Sequence, residues 1–125
     1  MTQKTSKMTG WVLTIILALL FTMSAFMKLT QNATAIEQAS SFGIDAHTYQ
    51  FIGMIEIISL IFFIIPRTGV LGTLLLAAYL GGAIVTHLEH QEPVVMAVVF
   101  QTVLWITAII RFPELRQRLL TNTKN

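Results

Sequence analysis

Apolar residues along this chain fall into four long runs, each closed by charged or turn-forming positions. Residues 8–27 carry no charge between Lys7 and Lys28, and 46–66 holds only His47 and Glu56 as charge-bearing groups. The third run, 68–88, has His87 near its end, and the fourth, 93–110, stops before Arg111. An α-helix rises about 1.5 Å per residue, so roughly 20 residues cross a hydrocarbon core about 30 Å thick. All four runs fit. The pattern therefore predicts an all-α fold, an integral membrane four-helix bundle forming a single transmembrane domain over 1–125. Its spans lie at about 9–28, 46–65, 67–88 and 93–111, followed by a polar C-terminal tail over 113–125.

The punctuation supports these limits. Pro66 closes the second run and Arg67 opens the third, which predicts a tight turn. Pro93 is expected in the first turn of the fourth helix, where a missing N–H is harmless. Between the first two spans, Asn32 or Thr34 can cap a short helix that runs through Ser40 or Ser41 and ends at Gly43. Ala33, Ile36, Ala39 and Phe42, or Ala35 beside them, give it a weak apolar stripe. A short interfacial helix is expected there, with an ordered loop as the alternative. The tail after Phe112 reads as a short interfacial helix that frays.

Composition strengthens the membrane reading. Hydrophobic residues make up 54% of the chain and charged ones 11%, with a mean hydropathy of +0.72. A water-soluble domain of 125 residues needs more polar surface than that. The lipid bilayer is thus the first partner. The net charge of +2 does not point to nucleic acid, because the basic residues are scattered at the ends of apolar runs. With no cysteine, thiolate metal sites and thiol–disulfide exchange by the chain's own residues are excluded.

Charge also sets the orientation. Lys4 and Lys7 precede the first span, Arg67 joins the second to the third, and Arg111, Arg116, Arg118 and Lys124 follow the fourth. Four crossings put these seven of the eight Lys and Arg residues on one side, and the positive-inside rule makes it cytoplasmic. The expectation is a multi-pass protein of the cell (plasma or inner) membrane with both termini in the cytoplasm. The first run is longer than the roughly 7–15 apolar residues of a cleavable signal, so it is expected to remain as a span.

One ionisable residue lies well inside a span. Glu56 sits ten residues after Ala46, roughly 12–15 Å down. It must face the interior and either carry a proton or meet a partner. Counting depth from the same side puts Tyr79 and Gln101 in its layer, about 13 and 12 Å down. Lys28 caps the first span and can reach inward, with Ser24 one turn below; His87 lies near the end of the third. In helical phase Tyr79, Ala83, Thr86 and His90 share a face, with His87 about 80° away. Lys28, Glu56, Tyr79, His87 and Gln101 thus compose a candidate polar pocket. The plainer alternative is a structural lock, in which Glu56 fixes helix register and Lys28 is an interfacial residue. Gly69, Gly72 and the Gly81–Gly82 pair are read as thinning the third helix for close packing. Three histidines near one boundary, without a carboxylate-rich motif, do not make a metal site.

These residues, in this order, resemble the DoxX-like family of small bacterial membrane proteins. The likeness rests on Phe21, Ser24, Ala25, Lys28 and Leu29, then Phe51, Gly53 and Glu56, then Ile65, Pro66 and Arg67 with Gly69 and Gly72, then Gly82, Ala83 and His87. It covers roughly residues 11–112, and Ala25 departs from the glycine such proteins often carry. The resemblance implies a four-helix membrane bundle and marks Lys28, Glu56 and His87 as characteristic polar positions. It also implies a link to membrane oxidoreductase complexes or to assembly of other membrane proteins, in which the polar cluster is either structural or touches a quinone headgroup.

No complete catalytic motif is present, and no resident cofactor is expected. The first functional reading is a non-catalytic subunit or accessory factor of a membrane complex, with a membrane protein partner or as a homo-oligomer. The second is a small-molecule site, or an enzyme, that uses the Glu, His and Lys groups for proton chemistry on a lipophilic ligand. A transporter ranks third, since four helices leave little room for a pore.

Overall fold

The computed structural model describes residues 2–120. Lys124 and the rest of the expected tail beyond Leu120 lie outside the described residues. Among the described residues six α-helices follow one another: α1 (Gln3–Leu29), α2 (Ala33–Ser41), α3 (Ala46–Ile64), α4 (Gly69–Glu89), α5 (Val95–Arg111) and α6 (Pro113–Leu120). A single 3₁₀ turn, Pro66–Thr68, joins α3 to α4 as the Pro-Arg pair predicts. Helices α1, α3 and α4 are long and apolar enough to cross a membrane. Helix α5 has 17 residues and bends by 108° into α6.

Caps explain most boundaries. The Thr2, Asn32 and Asp45 side chains accept the backbone N–H of Thr5, Ala35 and Thr48 and so start α1, α2 and α3. Gly43, at φ +68°, takes the left-handed turn that ends α2. Pro93 does not enter the fourth long helix. It precedes it, after Gln91 turns left-handed at φ 57°, and the helix begins at Val95.

The four long helices form a ring in which α1 packs on α3 and α5, and α4 packs on the same two. Phe21, Leu60, Phe63, Leu76 and Leu104 fill its centre. Around the outside Leu19, Met23, Phe26, Ile58, Leu74 and Val98 are exposed. An apolar exterior of this breadth is not stable in water. With the helices' length it makes this an all-α membrane bundle. Helix α2 lies over one end, hereafter the α2 end, and packs on α1 and α3. Its inward face is Ala35 and Ala39, while Ile36 points away.

Among the described residues close helix contacts occur at four glycines, the first of them Gly10, where a Cβ would stand 2.9 Å from the Arg111 Cγ. A Cβ on Gly53 would stand 2.8 Å from the Lys28 Cβ and 3.3 Å from the Ala25 carbonyl, so Gly53 lets α3 press against α1. A Cβ on Gly72 would collide with the backbone of Phe63, and one on Gly69 with the ring of Phe112. Gly81 and Gly82 behave otherwise: a Cβ there meets nothing within 4 Å. The expected close packing is confined to the turn end of α4.

At that end Arg111 holds three helices together. Its guanidinium donates to the carbonyls of Phe63 and Ile64, each at 2.8 Å, and to Thr14 Oγ1 at 3.3 Å. Phe63 and Ile64 are the last residues of α3, whose carbonyls have no helical partners of their own. The rings of Trp11, Phe63 and Phe112 flank the cation at 4.6, 5.1 and 4.6 Å. In the sequence this arginine reads only as an orientation signal; its role as a cap for α3 comes from the fold.

Candidate functional site

The polar residues inside the bundle begin with α1, where Ser24 and Lys28 stand one turn apart on the face that meets α3. Gly53 lets α1 approach α3 beside Lys28, and Glu56, three residues on, meets the lysine there. Lys28 Nζ lies 3.1 Å from Glu56 Oε1 and donates to Ser24 Oγ at 2.6 Å. Ser24 Oγ in turn donates to Glu56 Oε1 at 3.3 Å. The three groups close a triangle, with the carboxylate 1% exposed and the lysine 7%. A charge buried this far from water persists only when it is paired and hydrogen-bonded, and here it is both.

Two tyrosines complete the surroundings of the cation. The rings of Tyr49 and Tyr79 lie 5.3 and 5.7 Å from Lys28 Nζ, within reach of a cation–π attraction. The Tyr79 hydroxyl neighbours the Glu56 carboxylate from α4. Tyr49 donates its hydroxyl to Gln38 Oε1 at 2.6 Å, which ties α3 to α2.

Beside this cluster is a pocket of about 620 Å³. Ser24, Lys28, Glu56 and Tyr79 give it polar walls; Phe21, Ile52, Leu80 and Phe100 are among its apolar ones. Towards the α2 end, Gln38 and Phe42 also border it. Phe42 reaches across to α4, where its ring meets His87 edge-on at 4.9 Å and His90 at 5.8 Å. The pocket's size is that of a typical small-molecule site, mostly apolar with a few converging polar groups.

Of the five residues expected to form a pocket, four border this one: Lys28, Glu56, Tyr79 and His87. His87 borders it although its phase set it apart from Tyr79, and its Nδ1 is 2.6 Å from the Ala83 carbonyl. His90, which the phase put on the Tyr79 face, does not border it. Gln101 is not on the wall either. It turns into the α4–α5 seam, where Nε2 donates to the Ala77 carbonyl at 3.1 Å and Oε1 is buried without a partner among the described residues. Gln38 and Tyr49 lie outside the expected five, although by helical phase Tyr49 shares a stripe with Gly53, Glu56 and Leu60, all buried here. An aromatic hydroxyl seven residues before Glu56, two helical turns towards the boundary, was the available signal for Tyr49.

The arrangement can orient a polar head and hold an apolar body. Lys28 gives two of its N–H groups to Ser24 and Glu56 among the described residues, leaving one for another acceptor. Because the lysine and the carboxylate cancel, the site offers a local dipole rather than a net charge.

No curated protein and no solved structure matches this chain. The sequence pattern of the DoxX-like family matches residues 12–110, a stretch that holds Ser24, Lys28, Glu56, Tyr79 and His87, and on that match the chain belongs to the DoxX-like family.

Proposed function

We propose that this membrane protein binds an uncharged lipophilic small molecule, with its polar head at the Lys28–Glu56 pair and its body against the apolar walls. The observation that carries the reading is a buried ion pair set in the wall of a pocket of about 620 Å³. A pair whose only task is to fasten two helices does not require empty space beside it. An incoming carbonyl or hydroxyl oxygen accepts the remaining N–H of Lys28 without disturbing the triangle. A quinone head, the group implied by the resemblance, presents such oxygens and suits this donor set; the bundle's part would be to bind and orient it.

The accessory-subunit role, first by sequence, is compatible with this reading, since a ligand-loaded bundle can serve a larger membrane complex. Its own test is co-purification of a defined membrane protein after mild solubilisation. For the topology, the reading is a plasma-membrane protein with the Arg67 and Arg111 end in the cytoplasm. Supporting it is the packing of Gly10 near the start of α1 against Arg111, which gathers the basic residues of three segments at one end.

The test of binding is mass spectrometry of small molecules extracted from protein purified in native-lipid particles. Wild type is expected to carry a defined lipophilic compound above the level of bulk lipid. The double variant Lys28→Met/Glu56→Leu, which removes both charges together, is expected to fold and to lose that compound by at least ten-fold. Equal small-molecule content in the two proteins would overturn the reading.

A further inference from the structure

The pocket borders unevenly on the outside of the bundle. Towards the α2 end it is screened by Gln38, Phe42 and the Tyr49–Gln38 hydrogen bond. Three bordering residues near that end, Gln38, Pro93 and Met96, are also exposed; between α3 and α4 four more are on the exterior: Ile55, Leu75, Ala78 and Gly82. None of these four carries a polar side chain. They sit at mid-span: Ile55 is nine residues into α3 and Ala78 eleven before the end of α4, about 14 and 16 Å from the α2 end. Hydrocarbon, not water, covers a helical bundle at that depth.

The packing of α3 on α4 explains the gap. The two helices are pinned where Gly72 meets the Phe63 backbone, next to the turn that joins them. Ten residues further along α4, a Cβ on Gly82 would meet nothing within 4 Å. Contact at one end and open space towards the other describe a wedge whose mouth faces sideways.

We infer that the pocket is loaded laterally from the bilayer, through the apolar gap between α3 and α4 bordered by Ile55, Leu75, Ala78 and Gly82. The inference rests on the binding role proposed above and narrows the ligand. A molecule taking this route is dissolved in the membrane, and its chain can extend through the gap into the acyl region, so it need not fit wholly within the pocket. Its head must cross an apolar sill to reach Lys28 and Glu56, and a phosphate or carboxylate would have to shed its hydration to do so. The ligand class is therefore a neutral, single-chain amphiphile with a hydroxyl or carbonyl head.

A 16-carbon alcohol bearing a mid-chain diazirine serves as the probe, added to the protein in lipid nanodiscs and photolysed at increasing times. Peptide mapping compares labelling at Ile52 and Leu80, in the pocket, with Leu19 and Met23 on the lipid-facing side of α1. Two variants add the same bulk at positions where a Cβ is unobstructed: Gly82→Trp, in the gap, and Gly81→Trp, beside it. Pocket labelling is expected to exceed the α1 background, to slow at least five-fold in Gly82→Trp with an unchanged plateau, and to keep its wild-type rate in Gly81→Trp. A fatty acid with the same chain, at pH 8, is expected to label the pocket at least ten-fold less.

If wild type labels the pocket no more than the α1 face, the binding role itself fails. If the pocket is labelled but Gly82→Trp leaves the rate unchanged, or Met96→Trp, at the exposed border residue in the first turn of α5, slows it instead, lateral loading is overturned and the binding role stands. A lowered plateau at unchanged rate in Gly82→Trp likewise overturns the route, since the new side chain would then be filling the site. Equal labelling by the acid overturns the restriction to neutral heads.

Discussion

Removing one partner of the Lys28–Glu56 pair should harm the fold far more than removing both. At 3.1 Å and an effective dielectric constant of about 20, the Coulombic attraction is about 5 kcal/mol. Desolvation of each ion costs several kcal/mol, so the net worth of the intact pair is small. A single variant keeps one desolvation penalty and loses the attraction, which typically costs about 3–5 kcal/mol. In Lys28→Met, Glu56 is stranded at 1% exposure, ten residues from the start of α3, and its short side chain cannot reach the interface. It can escape only by taking up a proton, which at pH 7 costs a carboxyl of ordinary acidity about 3.7 kcal/mol. That sum caps the penalty. In Glu56→Leu the lysine is left over, but Lys28 is the penultimate residue of α1 and has a long stem, so it can swing towards the membrane surface. About 2 kcal/mol is expected.

The double variant Lys28→Met/Glu56→Leu replaces the pair with apolar groups and should lie within about 1 kcal/mol of wild type. The coupling in this cycle is then roughly 5 kcal/mol. Equilibrium unfolding in mixed micelles titrated with sodium dodecyl sulfate measures all four proteins. A coupling below about 1 kcal/mol, with the two single losses simply adding in the double variant, would show that Lys28 and Glu56 do not answer each other inside the bundle.

Glycine substitutions along α4 should divide sharply. Gly72→Ala drives a methyl group into the Phe63 backbone and should cost more than about 3 kcal/mol, whereas Gly81→Ala meets open space and should gain up to about 1 kcal/mol of helix propensity; thermal melts in detergent distinguish the two. Arg111→Lys keeps the charge but cannot reach both α3 carbonyls with a planar fork, and a loss of about 2 kcal/mol in the same melts is expected. Tyr49→Phe removes the bond to Gln38 and should cost about 1 kcal/mol, with faster amide hydrogen exchange in α2 and unchanged exchange in α4.

Depth was legible in this sequence and rotation was not. Rise per residue is constant, so counting from Ala46, Leu88 and Pro93 placed Glu56, Tyr79 and Gln101 in one layer without knowledge of any contact. Which way each faces depends on how its helix is turned against its neighbours. Glu56 and Lys28 were found because charge in an apolar run admits few orientations. Gln101 is neutral, can satisfy its amide in a helix seam as well as in a pocket, and took the seam. The same blindness affects Gly81 and Gly82, since smallness is visible in a sequence but the neighbour that would exploit it is not. Arg111 shows a further limit. A boundary arginine is explained fully by orientation, so nothing in the sequence asks for its second role as a cap on α3.

Lock and pocket are also not rivals once the bonds are followed helix by helix. Lys28 and Ser24, which both donate to Glu56 Oε1, belong to α1, so their bonds fasten α1 to α3. On the other side, Gln101 fastens α5 to α4 through the Ala77 carbonyl. What joins these two halves across the α3–α4 side is steric contact next to the Pro66 turn, with Arg111 reaching from α5 to the end of α3. Towards mid-span the Tyr79 hydroxyl approaches the carboxylate from α4, and the space between the halves is the pocket. A lock that served packing alone would draw the fourth wall in. This one holds two walls rigid and leaves the space between them open, as a site needs if its head group must be positioned while its chain comes and goes.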